Sequence, residues 1–415
     1  MNTILCIFLF LISWSAWSAD DGWSGQGEIT FEWRNFYDDD QKTSIDEGRS
    51  VMSRLESSYE KGSRKAVLRF FSRVDQLDNE RDFVVFEDLY YRQYFGADEE
   101  WQVKFGYQVY NWSATEAFHP ADVINSKHYD GDFERPEKRG ELSLEVERTF
   151  GEGRVTAYLF PRYEKPLYPG EFSRLGTGLP FHAPVWMKKN SERAGDRYDL
   201  QWGLRLDQSF AGADIALFYL NHMDRDHPLL VYESGGLTPY HFKVQDFGTT
   251  IQFVYENLIF KLESSYRDFV PSASHLTLLG GKKTEDYYLY AWGVEYLIPH
   301  DSGKESYLFL EGQHVGKLSR KEREDRFLFQ NDMMMAWRLA FNDTLSKELF
   351  LSLFFDLQRE HEYLVNMSYS QRITDVWKAS VGLRVYDAPE REVIPRGMQT
   401  FHKDHSLYIN VNRFF

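Results

Sequence analysis

The chain has 415 residues, with 64 Asp and Glu against 48 Lys and Arg, and a formal net charge of −16. That balance argues against nucleic acid as a partner, because phosphate binding needs a basic face. Hydrophobic residues are 42% of the chain, mean hydropathy is −0.53, and past the first residues no apolar run approaches the ~18 of a spanning helix, which excludes a helical membrane protein.

Residues Ile4 to Ile12 are almost all apolar, and Ala16-Trp17-Ser18 fits a small-residue cleavage pattern. Residues 1–19 therefore read as a secretory leader, cut after Ser18 or Ala19. The single cysteine, Cys6, lies inside it, so the mature chain is expected to have no disulfide and no thiolate metal site.

Beyond the leader the chain shows eighteen stretches of period-two hydrophobicity. The first nine are 25–37, 49–60, 64–75, 83–95, 100–110, 140–149, 153–162, 198–209 and 213–222. The second nine are 245–256, 258–267, 285–297, 305–315, 330–342, 346–357, 361–372, 376–386 and 404–415. In the clearest, Trp101, Val103, Phe105, Tyr107 and Val109 oppose Gln102, Lys104 and Gln108. Leu200, Trp202, Leu204 and Leu206 oppose Gln201, Arg205 and Asp207, and Leu258, Phe260 and Leu262 oppose Lys261 and Glu263. The stretch 83–95 alternates less well, because Glu87 falls among apolar positions.

A strand that shows one side to lipid and the other to a lumen alternates in this way, which keeps average hydropathy low. The 26 Tyr and 33 Phe suit the aromatic girdles of such a wall. The connections alternate between short, as at 61–63, 150–152 and 210–212, and mostly long, as at 111–139, 163–197 and 223–244. Short turns at one end and long loops at the other are the rhythm of an outer-membrane barrel. The fold expected is all-β: one transmembrane, antiparallel, up-and-down barrel over 20–415. It has eighteen strands, or sixteen if two weak ones at 330–357 or 49–75 are discounted. The last strand places Leu407, Ile409 and Val411 in alternation before Phe415, a pattern that the barrel-assembly machinery reads, and Arg413 departs from it.

Loop 111–139 is the third long-side connection and carries Glu116, Asp122, Asp130, Asp132 and Glu134. It resembles in position the third loop of general porins, and that resemblance implies that it folds into the lumen and sets these acids against basic wall residues among Arg54, Arg69, Arg73 and Lys104. Read without it, these are ordinary solvated loop charges and polar wall residues. Opposed charge rows across a watery neck favour small polar solutes.

The stretch 105–112 (Phe105-Gly106-Tyr107-Gln108-Val109-Tyr110-Asn111-Trp112) leads into His119-Pro120-Ala121-Asp122-Val123-Ile124-Asn125. It resembles porin-like outer-membrane proteins, including relatives of alginate-export-type channels, in which a strand reading G-R-Q-x-x-x-W-G leads into P-x-D-x-x-N. Gly106, Gln108, Trp112, Pro120, Asp122 and Asn125 carry the match over roughly 100–140. Tyr107 stands where the pattern has Arg, and Ser113 where it has Gly. The resemblance implies a passive or export-linked channel and names no solute.

Other chemistry is sparser. His222, Asp224, Asp226 and His227, and His402, Asp404 and His405, pair acids with histidines, as a hydrolase rim would, but neither set is specific and no catalytic residue is assigned. Asp38-Asp39-Asp40 reads as a solvated charge run rather than a metal site. Tyr168, Phe172, Phe181, His182 and Trp186 in 163–197 either guide sugars or pack on one another. No cofactor is expected, and the chain is not expected to be an enzyme. The partners expected are membrane lipid and lipopolysaccharide, the barrel-assembly machinery and an unidentified small solute, with room for a homo-oligomer. A structural or adhesive barrel is the alternative to a channel.

Overall fold

The structure is a computed structural model that describes residues 22–38, 43, 45–129, 136–187, 198–269 and 284–415. The leader, Asp39, Asp40, Asp130, Asp132 and Glu134 lie outside the described residues. Twenty strands occur among the described residues. The first seven are β1 (Trp23–Phe36), β2 (Glu47–Lys61), β3 (Arg64–Asp75), β4 (Phe83–Phe95), β5 (Trp101–Gln108), β6 (Glu141–Phe150) and β7 (Gly153–Phe160). Then come β8 (Val185–Met187), β9 (Gln201–Phe210), β10 (Ala213–Met223), β11 (Leu229–Glu233), β12 (Gly236–Tyr255), β13 (Leu258–Phe269) and β14 (Tyr287–Pro299). The last six are β15 (Glu305–Gly316), β16 (Asn331–Ala340), β17 (Glu348–Asp356), β18 (Tyr363–Thr374), β19 (Trp377–Asp387) and β20 (Ser406–Phe414).

Eighteen of these strands pair antiparallel, each with its neighbour in the chain, and β1 pairs with β20 to close the barrel. Each overlaps one of the eighteen stretches expected from alternation. At the seam, the Gly27 and Phe415 backbones exchange hydrogen bonds of 2.9 and 3.0 Å. Closure leaves no unpaired edge, the condition for backbone polar groups to lie in lipid.

The remaining strands, β8 and β11, stand outside the barrel wall. β12 runs past the wall, where its outer part pairs antiparallel with β11 and parallel with β8. Alternation over 245–256 identifies only the part of β12 within the wall. The outer part, from Gly236 to Phe242, is buried on both faces, so it carries no period-two signal.

Register assigns each face. On β9, Trp202, Leu204 and Leu206 are 42, 47 and 40% exposed, while Gln201 is fully buried. On β13, Phe260 and Leu262 are exposed outward while Lys261, Glu263, Ser265 and Arg267 are buried inward. The outward set, repeated around the wall, forms an apolar belt of the kind that faces lipid. Arginine at Leu204 should therefore cost about 2–4 kcal/mol near the bilayer midplane. Folding titrations into phosphatidylcholine vesicles would measure it, and a cost near zero would place Leu204 off the lipid face.

Glu87 interrupts alternation because it sits at a bulge. Arg69 pairs with Asp88 and Phe70 with Phe86, so Glu87 is the extra residue. The bulge turns both Glu87 and Asp88 toward Arg69, at 3.2 and 2.5 Å.

Candidate functional site: the lumen and its inward loop

Loop 109–140 leaves β5 and returns at β6. Its base is tied by Asn125, whose Oδ1 accepts from the Tyr110 amide at 2.7 Å. The Asn125 Nδ2 donates to the carbonyls of Gln108 and Arg139, at 3.0 and 2.8 Å. Lys138 adds a second tie, from Nζ to the Tyr110 carbonyl at 2.9 Å and to Asp122 at 2.6 Å. Gln108 is buried and donates to Ser143 Oγ at 2.8 Å. A side chain at Gly106 would overlap the Leu89 carbonyl of β4. Of the residues that carry the resemblance, Gly106, Gln108, Asp122 and Asn125 thus meet at the loop's base.

From that base the loop lies along the inner wall. Trp112 packs on Tyr158 of β7 and Phe218 of β10, with the Arg205 guanidinium 4.7 Å from its ring centre. Further on, Phe118 meets Phe329 and Phe354 of β17 edge-on.

Two wall carboxylates hold the far part. Glu263 on β13 accepts from the amides of Ala114, Thr115 (2.7 Å) and Ala121 (3.2 Å) and from the Thr115 hydroxyl (2.7 Å). Glu311 on β15 accepts from the amides of Glu116 and Ala117, at 2.7 and 2.9 Å. Both glutamates are buried and inward-facing, so the loop they hold lies inside the barrel. The cross-strand neighbours of Glu263 are Thr250 and Ala291, and those of Glu311 are Gly293 and Met334. With no cation directly opposite, each carboxylate finds its donors on the loop instead.

The charge pairing differs from the sequence expectation. Glu116 pairs with Lys261 of β13 at 2.8 Å, and Asp122 pairs within the loop with Lys138. Arg54 meets a loop acid, but it is Glu137, at 2.8 Å, and it also pairs with Glu87. Arg69 is held by Glu87 and Asp88, and Lys104 lies 3.9 Å from Glu145 and over the Tyr90 ring. Arg73 is buried over Phe83. The physical reason is proximity. Arg69 and Lys104 each find a carboxylate on the adjacent strand, and Arg54 reaches Glu87 two strands away as well as Glu137 of the loop.

The two departures from the family pattern also find places. Tyr107 shares the outward face with Leu89, so position 107 does not line the lumen, and its hydroxyl takes a hydrogen bond from Arg162. Ser113 Oγ lies 2.7 Å from Glu263 Oε1 and 2.6 Å from His119 Nδ1, which makes it part of the anchor.

The acid–histidine sets tie wall strands and loops together. His222 bonds Asp246, Asp224 and Asp246 pair with Arg267, and Asp226 pairs with Lys127. Asp404 pairs with Arg174, His405 accepts from the Tyr386 amide, and His402 bonds the Ala388 carbonyl. Tyr168 stacks between Tyr129 and Phe181, and Trp186 stacks on His241. Those aromatics pack on one another and on the third loop, while Phe172 is 63% exposed. His182 bonds the Glu233 carbonyl. Among the described residues no cluster of three or more His, Cys, Asp or Glu is placed to hold a metal ion.

Burial lowers the pKa of His119 and His227, and burial with the Arg73 and Arg81 charges brings His128 down to about 3. All three rings are therefore neutral near pH 7. Burial opposes the charge on Asp226, yet the Lys127 ammonium holds that carboxyl below its usual range.

No family model matches the sequence, and no curated protein is similar to it. Several solved structures share its outline. Pseudomonas putida OprB is 12% identical over 95% of each chain, with a TM-score of 0.49. Salmonella typhi OmpF, solved with daunomycin, is 7% identical over 96% of this chain and 99% of that one, also at 0.49. A mutant Rh. blastica porin is 11% identical over 95% of this chain and all of that one, at 0.41. By its own strand pairing, the chain is, among the described residues, a closed eighteen-stranded antiparallel barrel.

Proposed function

We propose that the chain is an outer-membrane channel through which small solutes cross beside the inward loop, by passive diffusion or as part of export. The observation that carries this reading is the division of the wall: an apolar belt outside, charged ladders inside, and a loop laid along one part of the lumen. Ion pairs such as Arg54–Glu87 and Arg154–Asp207 run along that interior. The belt contacts membrane lipid and lipopolysaccharide, and residues 1–19 act as the export leader. The test is single-channel recording from the refolded protein in a planar bilayer. Discrete conductance steps are expected, and a folded, inserted barrel that gives none would favour a structural or adhesive role.

Insertion in this reading depends on the last strand. Phe415 lies against Gly27 and pairs with its backbone at the closing seam. Deleting Phe415 is expected to lower the yield of heat-modifiable barrel in the outer membrane. An unchanged yield would remove Phe415 as an assembly signal.

A further inference from the structure

Beside the inward loop, several of the long connections enclose a cavity of about 350 Å³. The third loop contributes Phe118 and Tyr129, the fourth Tyr168 and Phe181, and later connections Phe327 and Phe401. Native interiors leave few voids larger than one water. This volume instead lies in the range of small-molecule sites, which are mostly apolar with a few fixed polar groups. Ile394 on the lining is 40% exposed, which gives the cavity a face toward solvent.

The carboxylates around it are already paired. Lys127 pairs with Asp226 at 2.7 Å, Asp325 with Arg396 at 3.0 Å, and Glu324 with Arg320 at 2.6 Å. Arg326 lies 5.4 Å from the Tyr287 ring centre. The Tyr129 hydroxyl donates to the Asp226 carbonyl at 3.0 Å, and the Tyr168 hydroxyl lies 3.3 Å from His241 Nε2. The lining histidines His119, His128 and His227 are neutral, as derived above. A sugar needs donors and acceptors that can turn to it, and an ion needs an unmatched charge. This lining presents mostly ring faces, prolines and aliphatic side chains, with its carboxylates paired to cations and Arg326 set over the Tyr287 ring.

We propose that the cavity is a binding site for a small, uncharged aromatic molecule, stacked among the loop aromatics. The proposal does not require that the barrel conduct. The test uses the full chain in lipid nanodiscs, with empty nanodiscs as the blank for partition into lipid. Three probes are compared by isothermal titration calorimetry: 2-naphthol, the anionic 2-naphthoate with the same rings, and maltose. Saturable one-site binding of 2-naphthol is expected, at least tenfold tighter than either comparator. Thr177→Trp projects an indole into the cavity and should abolish the saturable component. Thr177 is chosen because its hydroxyl makes only long 3.4 Å contacts, with the Leu179 carbonyl and amide. Should that variant fail to fold, Leu328→Trp on the same lining asks the same question. The proposal is overturned if 2-naphthol only partitions as it does into empty nanodiscs, or if 2-naphthoate or maltose binds as tightly. It is also overturned if the filled variant, shown folded by heat-modifiable mobility, binds 2-naphthol as the parent does.

Discussion

Alanine at Glu263 and Glu311 together is expected to unseat the inward loop while leaving the barrel intact. Glu263 accepts from three loop amides and Glu311 from two. Truncation leaves those donors without partners in a buried setting, at about 1–3 kcal/mol each. Water in the lumen repays part of this. Even two donors at the lower figure would shift the loop toward its released state by about thirtyfold at each site. The barrel has no such dependence, because its strands are joined by their own ladders. The loop carries Lys127, Lys138 and Arg139, so its release should appear as new trypsin cleavage between 111 and 139. Heat-modifiable mobility should not change. In planar bilayers the freed loop would sweep the lumen, and the open level should flicker. Replacing exposed Glu60 in the same way is the control. A double variant that resists trypsin and conducts quietly would show that the aromatic packing of Trp112 and Phe118 holds the loop without the carboxylates.

That anchor shows where reading the chain stops. Each wall strand is legible because lipid on one side and a polar lumen on the other impose alternation residue by residue, as on β9 and β13. The lapse at Glu87 is also physical, since a bulge shifts the period by one. Loop 111–139 is recognisable as the inward loop from its place in the order of loops and from the motif around Trp112. Its partners are not recognisable. Glu263 and Glu311 lie far along the chain from the amides they accept, and nothing in a strand's own pattern distinguishes a carboxylate that holds a loop from one that faces water. The register supplies the missing sign: an inward glutamate whose direct neighbours are Thr and Ala, or Gly and Met, must find donors off the wall. The cavity is further from the sequence still, because its lining comes from connections that carry no periodic signal.

The charge that sets ion preference should be that of Glu116. Its side chain is 43% exposed, whereas its partner Lys261 is 6% exposed and is also held by Glu295 at 3.2 Å. Glu116→Gln removes one negative charge from the open lumen and leaves the cation fixed in place. The reversal potential across a salt gradient is expected to move toward anions. Asp122 differs, with a side chain only 4% exposed and paired to Lys138 at the loop's base. Asp122→Asn should loosen the base and raise flicker before it alters selectivity. On the wall, Arg69→Ala leaves Glu87 and Asp88 short of a cation they share, and should move the potential toward cations. These shifts should be largest near 0.1 M salt, where the screening length is about 10 Å, and should fade at 1 M, where it is about 3 Å. A channel that conducts with the same reversal potential after Glu116→Gln would show that ions pass on a path this carboxylate does not face.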